Sequence, residues 1–426
     1  MPLPQDPRVR RLSWALLSSL FNSAYGNLTL GAITTLFYAA MGLPKTHIGL
    51  LNALIFLPGP LALVAAPLAA RWGFKRTYMW FYSSRKFVVA LLAASPWVLE
   101  HYGLSGLMAY TTAVMLVFGV LRVIAETAYY PWTHEFVPQR VRGQFGALSN
   151  ILSTLGGLVA VTWAGSFLGG QEGFVPYQQL ILVGSVFGLA SVLVKMPIQG
   201  GAPDPSIVSQ KAHFRYMGQA LRDAGFRRFL WGLGMVSLAT HSWGPFIPLY
   251  IKDEIGLDSG TVVQLQTWVL LGTLVSSYAW GYCADRFGSR PALLLSLAGM
   301  LLLPALWLAI PRQDADSLLW AAAVSALWGA ASIGYSIGHE RQLYVDVVPA
   351  EKKTEYMALF YSFTQLTAVV SPLLAGWGLD RAEGWSGRLG GVELGPYAPF
   401  FAFSFVLLLA GTAFFARSGR ARPELT

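Results

Sequence analysis

The sequence is poor in charged residues and in cysteine. Only 12% of its 426 residues are charged, against roughly a quarter in an average soluble protein, while 54% are hydrophobic. This balance excludes a water-soluble enzyme of this length and a disordered chain. The single cysteine, Cys283, excludes a disulfide framework and any CxxC metal or redox site. GxxxxGK[ST] and HExxH sequences are also missing, so we expect neither an ATP-driven protein nor a metal centre, and no cofactor.

Long apolar runs dominate what is present. A membrane helix needs about 20 mostly apolar residues, and twelve segments qualify: about 12–40, 46–69, 77–98, 106–131, 145–168, 178–196, 226–251, 260–283, 291–310, 317–341, 356–378 and 397–416. The runs are continuous, not alternating, which predicts helices and not barrel strands. The first run is too long for a cleavable signal. The sequence therefore predicts an all-α membrane protein with twelve transmembrane helices.

A polar stretch divides these segments into two groups of six. We predict an N-terminal six-helix bundle over 1–196, a cytoplasmic loop over 197–225 and a C-terminal bundle over 226–426. With the N-terminus placed in the cytoplasm, 21 of the 30 basic residues, Lys195 among them, fall on the cytoplasmic side and five on the other side. This asymmetry predicts a plasma (inner) membrane protein with both termini cytoplasmic. The net charge of +9 then reflects topology, so a nucleic-acid partner is not expected.

The two halves resemble each other. Gly73 in the loop after segment 2 corresponds to Gly288 after segment 8, an offset of 215 residues. Pro138 after segment 4 corresponds to Pro349 after segment 10, an offset of 211. A duplicated six-helix unit is a known transporter architecture, with a substrate site near the bilayer midplane.

The loop after segment 8 carries a signature that resembles the major facilitator superfamily. Five residues fit it: Gly281, Asp285, Arg286, Gly288 and Arg290. In the first half, Ala66 and Ala70 replace the first glycine and the aspartate, while three residues are retained: Arg71, Gly73 and Lys75. The resemblance implies a twelve-helix fold in two six-helix bundles, and a gating role for both loops. Because Ala70 cannot form an ion pair, we expect the second-half loop to be the stronger gate.

Ionisable residues inside membrane segments are costly and are functional candidates by default. In segment 4, Arg122 and Glu126 share a helix face, about 20 Å and 13 Å from a helix end near residue 135. Arg122 also matches the family's helix-4 arginine, which the resemblance links to proton transfer. Either Glu126 exchanges a proton while Arg122 tunes it or binds substrate, or the two form a permanent salt bridge.

Three other segments carry ionisable residues. Arg85 and Lys86 in segment 3 lie close to the depth of Glu126, and we expect one of them to pair with it or with Glu135. Glu340 in segment 10 is the second candidate proton site, or belongs to a cytoplasmic gate network with Arg341. In segment 7, His241 lies near the midplane before a Pro-rich bend and is a further proton-coupling candidate, although a lone His is more often a core residue.

Neutral polar and aromatic residues on the helices expected to line the cavity complete the predicted substrate site. With Arg122, Glu126 and His241 they are Asn22, Tyr25, Asn27, Asn150, Gln264, Tyr335, Tyr361 and Gln365. We therefore predict a monomeric, proton-coupled secondary transporter working by alternating access, not an enzyme, whose partners are a small molecule, protons and lipid. Export of an amphipathic compound is favoured slightly. Uptake of a sugar or other polar solute, and a transport-inactive sensor or scaffold, remain as alternatives.

Overall fold

The computed structural model of the chain describes residues 7–203, 221–348, 353–389 and 392–417. The chain forms two compact units. One comprises Met1–Ser209 with Ser259–Gln264, and the other comprises Gln210–Asp258 with Leu265–Thr426. Part of the predicted loop 197–225 lies outside the described residues, so the proposed domain boundaries stay predictions.

Among the described residues, the first unit contains eight helices joined by short turns. They are α1 Pro7–Thr29, α2 Ala32–Ala40, α3 Lys45–Leu54, α4 Ala62–Trp72, α5 Phe74–Ala90, α6 Ser95–Phe136, α7 Arg142–Leu168 and α8 Val175–Leu193. Short 3-10 turns lie at Gly59–Leu61, Leu91–Ala94 and Gln139–Val141. The α6 range contains a break at Gly103, whose φ of 65° lies in the left-handed region, and this break separates predicted segments 3 and 4.

The second unit contains seven α-helices among the described residues. They are α9 Ala224–Thr240, α10 Trp243–Tyr250, α11 Ser259–Phe287, α12 Ser289–Leu308, α13 Ser317–Arg341, α14 Lys353–Arg381 and α15 Ala398–Arg417. Single π-helical turns follow α10 and α13, at Ile251–Ile255 and Gln342–Val347. An antiparallel hairpin that the sequence did not predict, β1 Gly387–Leu389 with β2 Val392–Leu394, precedes α15.

All twelve predicted segments coincide with helices. By length and hydropathy alone, seven helical stretches of the described chain are able to cross a membrane, or eight if the bent pair Lys45–Leu61 and Val64–Trp72 is one span. The count is lower than twelve partly because the criterion demands uninterrupted helices. Gly31 breaks the first predicted segment, and His241–Ser242 break the seventh, two residues before the Gly-Pro pair expected to bend it.

Helix packing repeats from one unit to the other. In the first unit α1 packs on α7 and α8, and α5 packs on α6 and α8. In the second unit α9 packs on α14 and α15, and α12 packs on α13 and α15. In the first unit, predicted segment 1 thus packs on segments 5 and 6, and segment 3 packs on segments 4 and 6. In the second unit, segment 7 packs on segments 11 and 12, and segment 9 packs on segments 10 and 12. This agreement supports the duplication inferred from the loops.

Backbone geometry at the repeated loops agrees as well. Gly73 and Gly288 both have a φ of 92° where one helix ends and the next begins. Residues with a side chain rarely adopt this angle, so the two glycines are needed for the same turn. Val137 and Val348, 211 residues apart, end the helices before the second pair of loops in similar extended conformations, with φ of −97° and −89°.

Candidate functional site: an ionic group in the first unit

A stripe of polar side chains runs along the buried face of α5. Tyr78, Tyr82 and Lys86 recur at four-residue intervals, so they lie above one another on one side of the helix. Arg85 lies beside Lys86, and all four side chains are buried. The packing of α5 against α6 and α8 places this stripe opposite the charged residues of those helices.

Glu126 on α6 lies between two arginines. Its Oε1 accepts a hydrogen bond from Arg122 Nε at 2.8 Å and lies 3.5 Å from Arg85 Nη1. Arg122 also donates to the Ile55 carbonyl at 3.1 Å, and its guanidinium lies 4.6 Å from the ring centroid of Phe56. The predicted shared face of Arg122 and Glu126 is therefore confirmed. Of the two basic residues in segment 3, Arg85 is the one that pairs with Glu126, as the sequence analysis expected of one of them.

Lys86 is fully buried and its described contacts are all neutral. Its Nζ lies 3.2 Å from the Tyr25 ring centroid and 4.2 Å from that of Tyr82, and donates to Asn22 Oδ1 at 3.2 Å. Tyr82 also donates to this amide oxygen. Gly188 on α8 permits the close approach, since a Cβ there would lie 2.6 Å from the Tyr25 ring and 2.8 Å from Lys86. Cation–π contacts and an amide dipole thus replace hydration of this ammonium group.

Lys195, which we counted among the basic residues of the cytoplasmic side, is buried. Its side chain folds back from the end of α8 into the tyrosine cluster, and the residue is 5% exposed. Nζ donates to the Tyr78 hydroxyl at 3.0 Å and lies 4.5 Å from the Tyr129 ring centroid. A lysine at the end of an apolar run looks like a topology signal in the sequence, and only the fold shows that it is buried. It joins four predicted charges in what we call the ionic group: Arg85, Lys86, Arg122, Glu126 and Lys195.

Cytoplasmic-loop residues of the signature occupy different environments in the two units. In the second unit, Asp285 pairs with Arg341 at 3.7 Å, and the carboxylate is 82% exposed. Arg286 donates to the Tyr282 hydroxyl, and Arg290 donates to the Ala416 carbonyl. A Cβ added to Gly281 would have no atom of the described residues within 4 Å. Arg341 of the predicted gate network thus forms an ion pair with a loop residue, while Glu340 lies exposed beside it. The gating role of these residues stays a prediction.

The corresponding end of the first unit is held by backbone contacts. Lys75 Nζ donates to the Met196 carbonyl at 2.8 Å, and Lys75 N donates to the Gly201 carbonyl at 3.3 Å. Glu135 accepts a 2.6 Å hydrogen bond from Gly201 N, so it caps the segment after α8 and does not pair with the arginines. Arg71 is exposed at the end of α4. A chain segment therefore takes the place of the missing aspartate at this end.

Comparison with known proteins agrees with this architecture. A family model described as Major Facilitator Superfamily matches residues 229–426. Over 95% of this chain and the whole of the other, the fold matches a mutant of the nucleoside transporter NupG with a TM-score of 0.72 at 12% identity. A bacterial homologue of the iron transporter ferroportin matches with a TM-score of 0.71 at 13% identity, covering 97% and 99% of the two chains. The D-xylose-proton symporter matches with 0.67 at 12% identity, covering 97% and 98%.

Residues 229–426 thus match the major facilitator superfamily, and the chain as a whole has the fold of the solved transporters. It is a multi-pass membrane protein with the twelve-helix fold of that family. Its sequence is also 27% identical to synaptic vesicle glycoprotein 2A of Rattus norvegicus and of Homo sapiens over 177 residues. That match covers 40% of this chain, and the chain spans 23% of the length of those relatives.

The predicted lining residues fall in both units, but few of them meet. In the first unit, Asn22 and Tyr25 join the ionic group, where Tyr25 lies buried beneath Lys86. Asn27 instead donates to the Ser23 carbonyl one turn away, and Asn150 is exposed on α7. Whether any of these touches a substrate stays a prediction.

The predicted residues of the second unit are spread over several helices. His241 is exposed at the end of α9, and Tyr361 and Gln365 lie one turn apart on α14, whereas Gln264 lies in the part of α11 that belongs to the first unit. Tyr335 is buried and stacks on His339 with ring centroids 4.5 Å apart, while His339 Nδ1 contacts the Tyr335 carbonyl at 2.7 Å. This histidine is thus a core residue of an aromatic cluster that also includes Phe360.

One buried ion pair of the second unit escaped the sequence analysis. Glu254, in the π turn after α10, accepts from Arg312 at 2.6 Å and from Tyr397 N at 3.0 Å. The Tyr397 hydroxyl donates to Asp253 at 2.9 Å. Both acidic residues lie in a loop-like polar stretch where the sequence gives no sign of burial. The cluster ties three chain segments together at one end of the unit.

Proposed function

We propose that the chain is a proton-coupled secondary active transporter that moves a small molecule by alternating access, with Glu126 as the proton-carrying residue. The observation that carries the proposal is the position of Glu126. Its carboxylate contacts arginines on two helices, yet 38% of its side chain is exposed. A carboxylate that is both charge-paired and open to water is suited to exchanging partners during a cycle.

Glu126 is paired with two arginines in the arrangement described. Protonation therefore requires that at least one guanidinium move away or find another partner. Arg85 at 3.5 Å is the looser of the two, and Arg122 at 2.8 Å is the tighter. We infer that α5 and α6 shift relative to each other, or that a solute takes over Arg85, when the proton binds. Proton and solute are then linked through the same guanidinium.

Reconstitution into liposomes tests this proposal. A pH-sensitive dye inside the vesicles reports proton movement when a panel of sugars, nucleosides and amphipathic compounds is added outside under an imposed pH gradient. Proton movement that depends on one solute class is the expected result. Glu126→Gln should abolish coupling because the amide cannot exchange a proton, whereas Glu100→Gln, an exposed position on α6, should leave it unchanged. Undiminished coupling in Glu126→Gln removes this residue as the proton site.

The same assay separates the remaining candidates. Export of an amphipathic compound is favoured by the many aromatic side chains, and uptake of a polar solute is the alternative. Placing the solute inside the vesicles or in the outer solution distinguishes these directions. Solute flux that ignores the pH gradient would indicate facilitated transport. An absence of flux for every solute, in protein that melts cooperatively, would support the sensor or scaffold alternative.

A further inference from the structure

The ionic group contains four basic side chains and one carboxylate. Arg85 and Lys86 come from α5, Arg122 from α6 and Lys195 from the end of α8. Burying a charge is expensive unless an opposite charge or several hydrogen bonds compensate it. Glu126 forms ion pairs with the two arginines. The described contacts of Lys86 and Lys195 are tyrosine rings, a tyrosine hydroxyl and an amide oxygen, all of them neutral.

We propose that the ionic group is an anion-binding site and that the transported solute carries a carboxylate or phosphate group, which Arg85 and Arg122 hold. That the solute is transported rests on the proposed transport function, whereas the anion site itself is inferred from the charge arrangement alone. Carboxylate and phosphate share the planar or tetrahedral oxygen pairs that a guanidinium fork binds through two parallel hydrogen bonds.

Arg85 has the donors that such a ligand needs. Its contact with Glu126 is 3.5 Å long, beyond the usual 2.7–2.9 Å of a charge-assisted hydrogen bond. Its Nε is buried and has no hydrogen-bond partner among the described residues. The guanidinium plane is held by the Tyr82 ring, whose centroid lies 3.9 Å from Cζ. The side chain is therefore fixed in place while its Nε donor remains uncommitted.

Access to the group comes from the Glu126 side. Exposure of the side chains falls from 38% at Glu126 to 18% at Arg122 and 8% at Arg85, and Lys86 and Lys195 lie deeper still. An anion that arrives beside Glu126 meets the two guanidiniums first. The buried ammonium groups then contribute attraction at a distance, which a low-dielectric surrounding strengthens.

Anion binding at this position also supplies a coupling mechanism. An oxyanion on Arg85 and Arg122 competes with Glu126 for the same donors, and a carboxylate that loses its arginine partners becomes free to accept a proton. Solute and proton then bind together, which predicts symport and therefore favours the uptake alternative over export.

Thermal unfolding of the purified protein tests the site without a transport assay. The probes are inorganic phosphate, benzoate and neutral benzyl alcohol, at constant ionic strength balanced with chloride. We expect phosphate or benzoate to raise the melting temperature of the wild type saturably by several degrees, and benzyl alcohol to leave it unchanged. A response to one anion only identifies the oxyanion class. No response to either anion overturns the proposal.

Variants locate the effect. Arg85→Gln should abolish the anion response, and Arg85→Lys, which keeps the charge but loses the fork, should weaken apparent affinity at least tenfold. Lys195→Met removes a basic group that does not contact the bound anion, and it should weaken the apparent affinity for the anion several-fold. Arg76→Gln, an exposed arginine on the same helix, is the matched control and should respond like wild type. An equal anion response in wild type and in both Arg85 variants means surface binding and overturns the proposal.

The two proposals fail in distinguishable ways. Anion stabilisation that depends on Arg85, without gradient-driven flux of any solute, would retain the anion site and remove proton-coupled transport. Proton-coupled flux of a neutral solute, without an anion response, would retain the transporter and remove the anion site.

Discussion

Two units with the same helix packing enclose opposite kinds of interior. The first unit buries Arg85, Lys86 and Lys195 against tyrosine rings in the helix interior. At the related position in the second unit, Tyr335 and His339 stack in an aromatic cluster, and Arg341 turns to a carboxylate at the helix end. A repeated scaffold thus fixes how helices pack without fixing what they carry. The contrast indicates that charge chemistry is concentrated in the first unit.

The largest expected effect comes from removing the single carboxylate of the ionic group. Glu126→Gln leaves Arg85 and Arg122 without a counter-charge and should cost about 3 kcal/mol, the lower end for a broken buried pair because the carboxylate is partly exposed. Thermal unfolding followed by tryptophan fluorescence should show a melting temperature about 5 °C lower or more.

A second substitution checks the cause of that loss. Adding Arg122→Gln to Glu126→Gln should recover part of the stability, since it removes an uncompensated charge. A double variant as unstable as the sum of the single variants would show that the pair is not coupled. Glu100→Gln is the exposed control on the same helix.

The buried pair of the second unit should give the next effect. Glu254→Gln weakens the 2.6 Å contact with Arg312 and the hydrogen bond from Tyr397 N, and should cost about 2 kcal/mol in thermal unfolding. Glu383→Gln, in the exposed stretch after α14, should change the melting temperature little. If both variants melt alike, the second unit does not depend on this cluster.

The two loop glycines give a matched pair of intermediate size. Gly73→Ala and Gly288→Ala should each cost about 1–2 kcal/mol, because both have a φ of 92°. Gly73→Ala should cost more, since its new Cβ would lie 2.9 Å from the Gly201 carbonyl oxygen, whereas no atom lies within 4 Å at Gly288. Equal melting temperatures would show that the Gly201 segment yields without cost.

The smallest stability effect is expected at the surface pair of the second unit. Asp285→Asn should change the free energy of unfolding by less than about 0.5 kcal/mol, because an exposed ion pair at 3.7 Å contributes little. If the predicted gating role is right, transport in liposomes should nevertheless slow. A variant with unchanged transport would leave Asp285 without a role in gating.

Several elements were readable from the sequence because they depend on local chemistry. Long apolar runs forced helices, and the paired glycines at 73 and 288 revealed turns of the same φ. The four-residue spacing of Arg122 and Glu126 guaranteed a shared helix face. Each of these inferences needs only the helix repeat or the conformational freedom of one residue.

Other features depended on how helices rotate against one another. Lys195 was assigned to the cytoplasm from its position along the chain, but its flexible stem reaches back to Tyr78. His339, next to the candidate Glu340 in the sequence, is stacked in an aromatic core. Glu254 looked like a loop carboxylate and is buried beside Arg312. No local pattern reports these contacts, since each joins residues at least four positions apart through side-chain direction or long-range packing.

The sequence by itself determined the membrane fold, its duplication and the scarcity of buried charge, since hydropathy and helix periodicity act residue by residue. Tertiary structure alone decided which charges meet. Packing of α5 against α6 and α8 brings Lys195 to the Tyr82 ring, beside Arg85 and Lys86 of α5, while one carboxylate faces the arginines from the open side. The excess of buried basic residues over carboxylates arises only from the way these helices pack together.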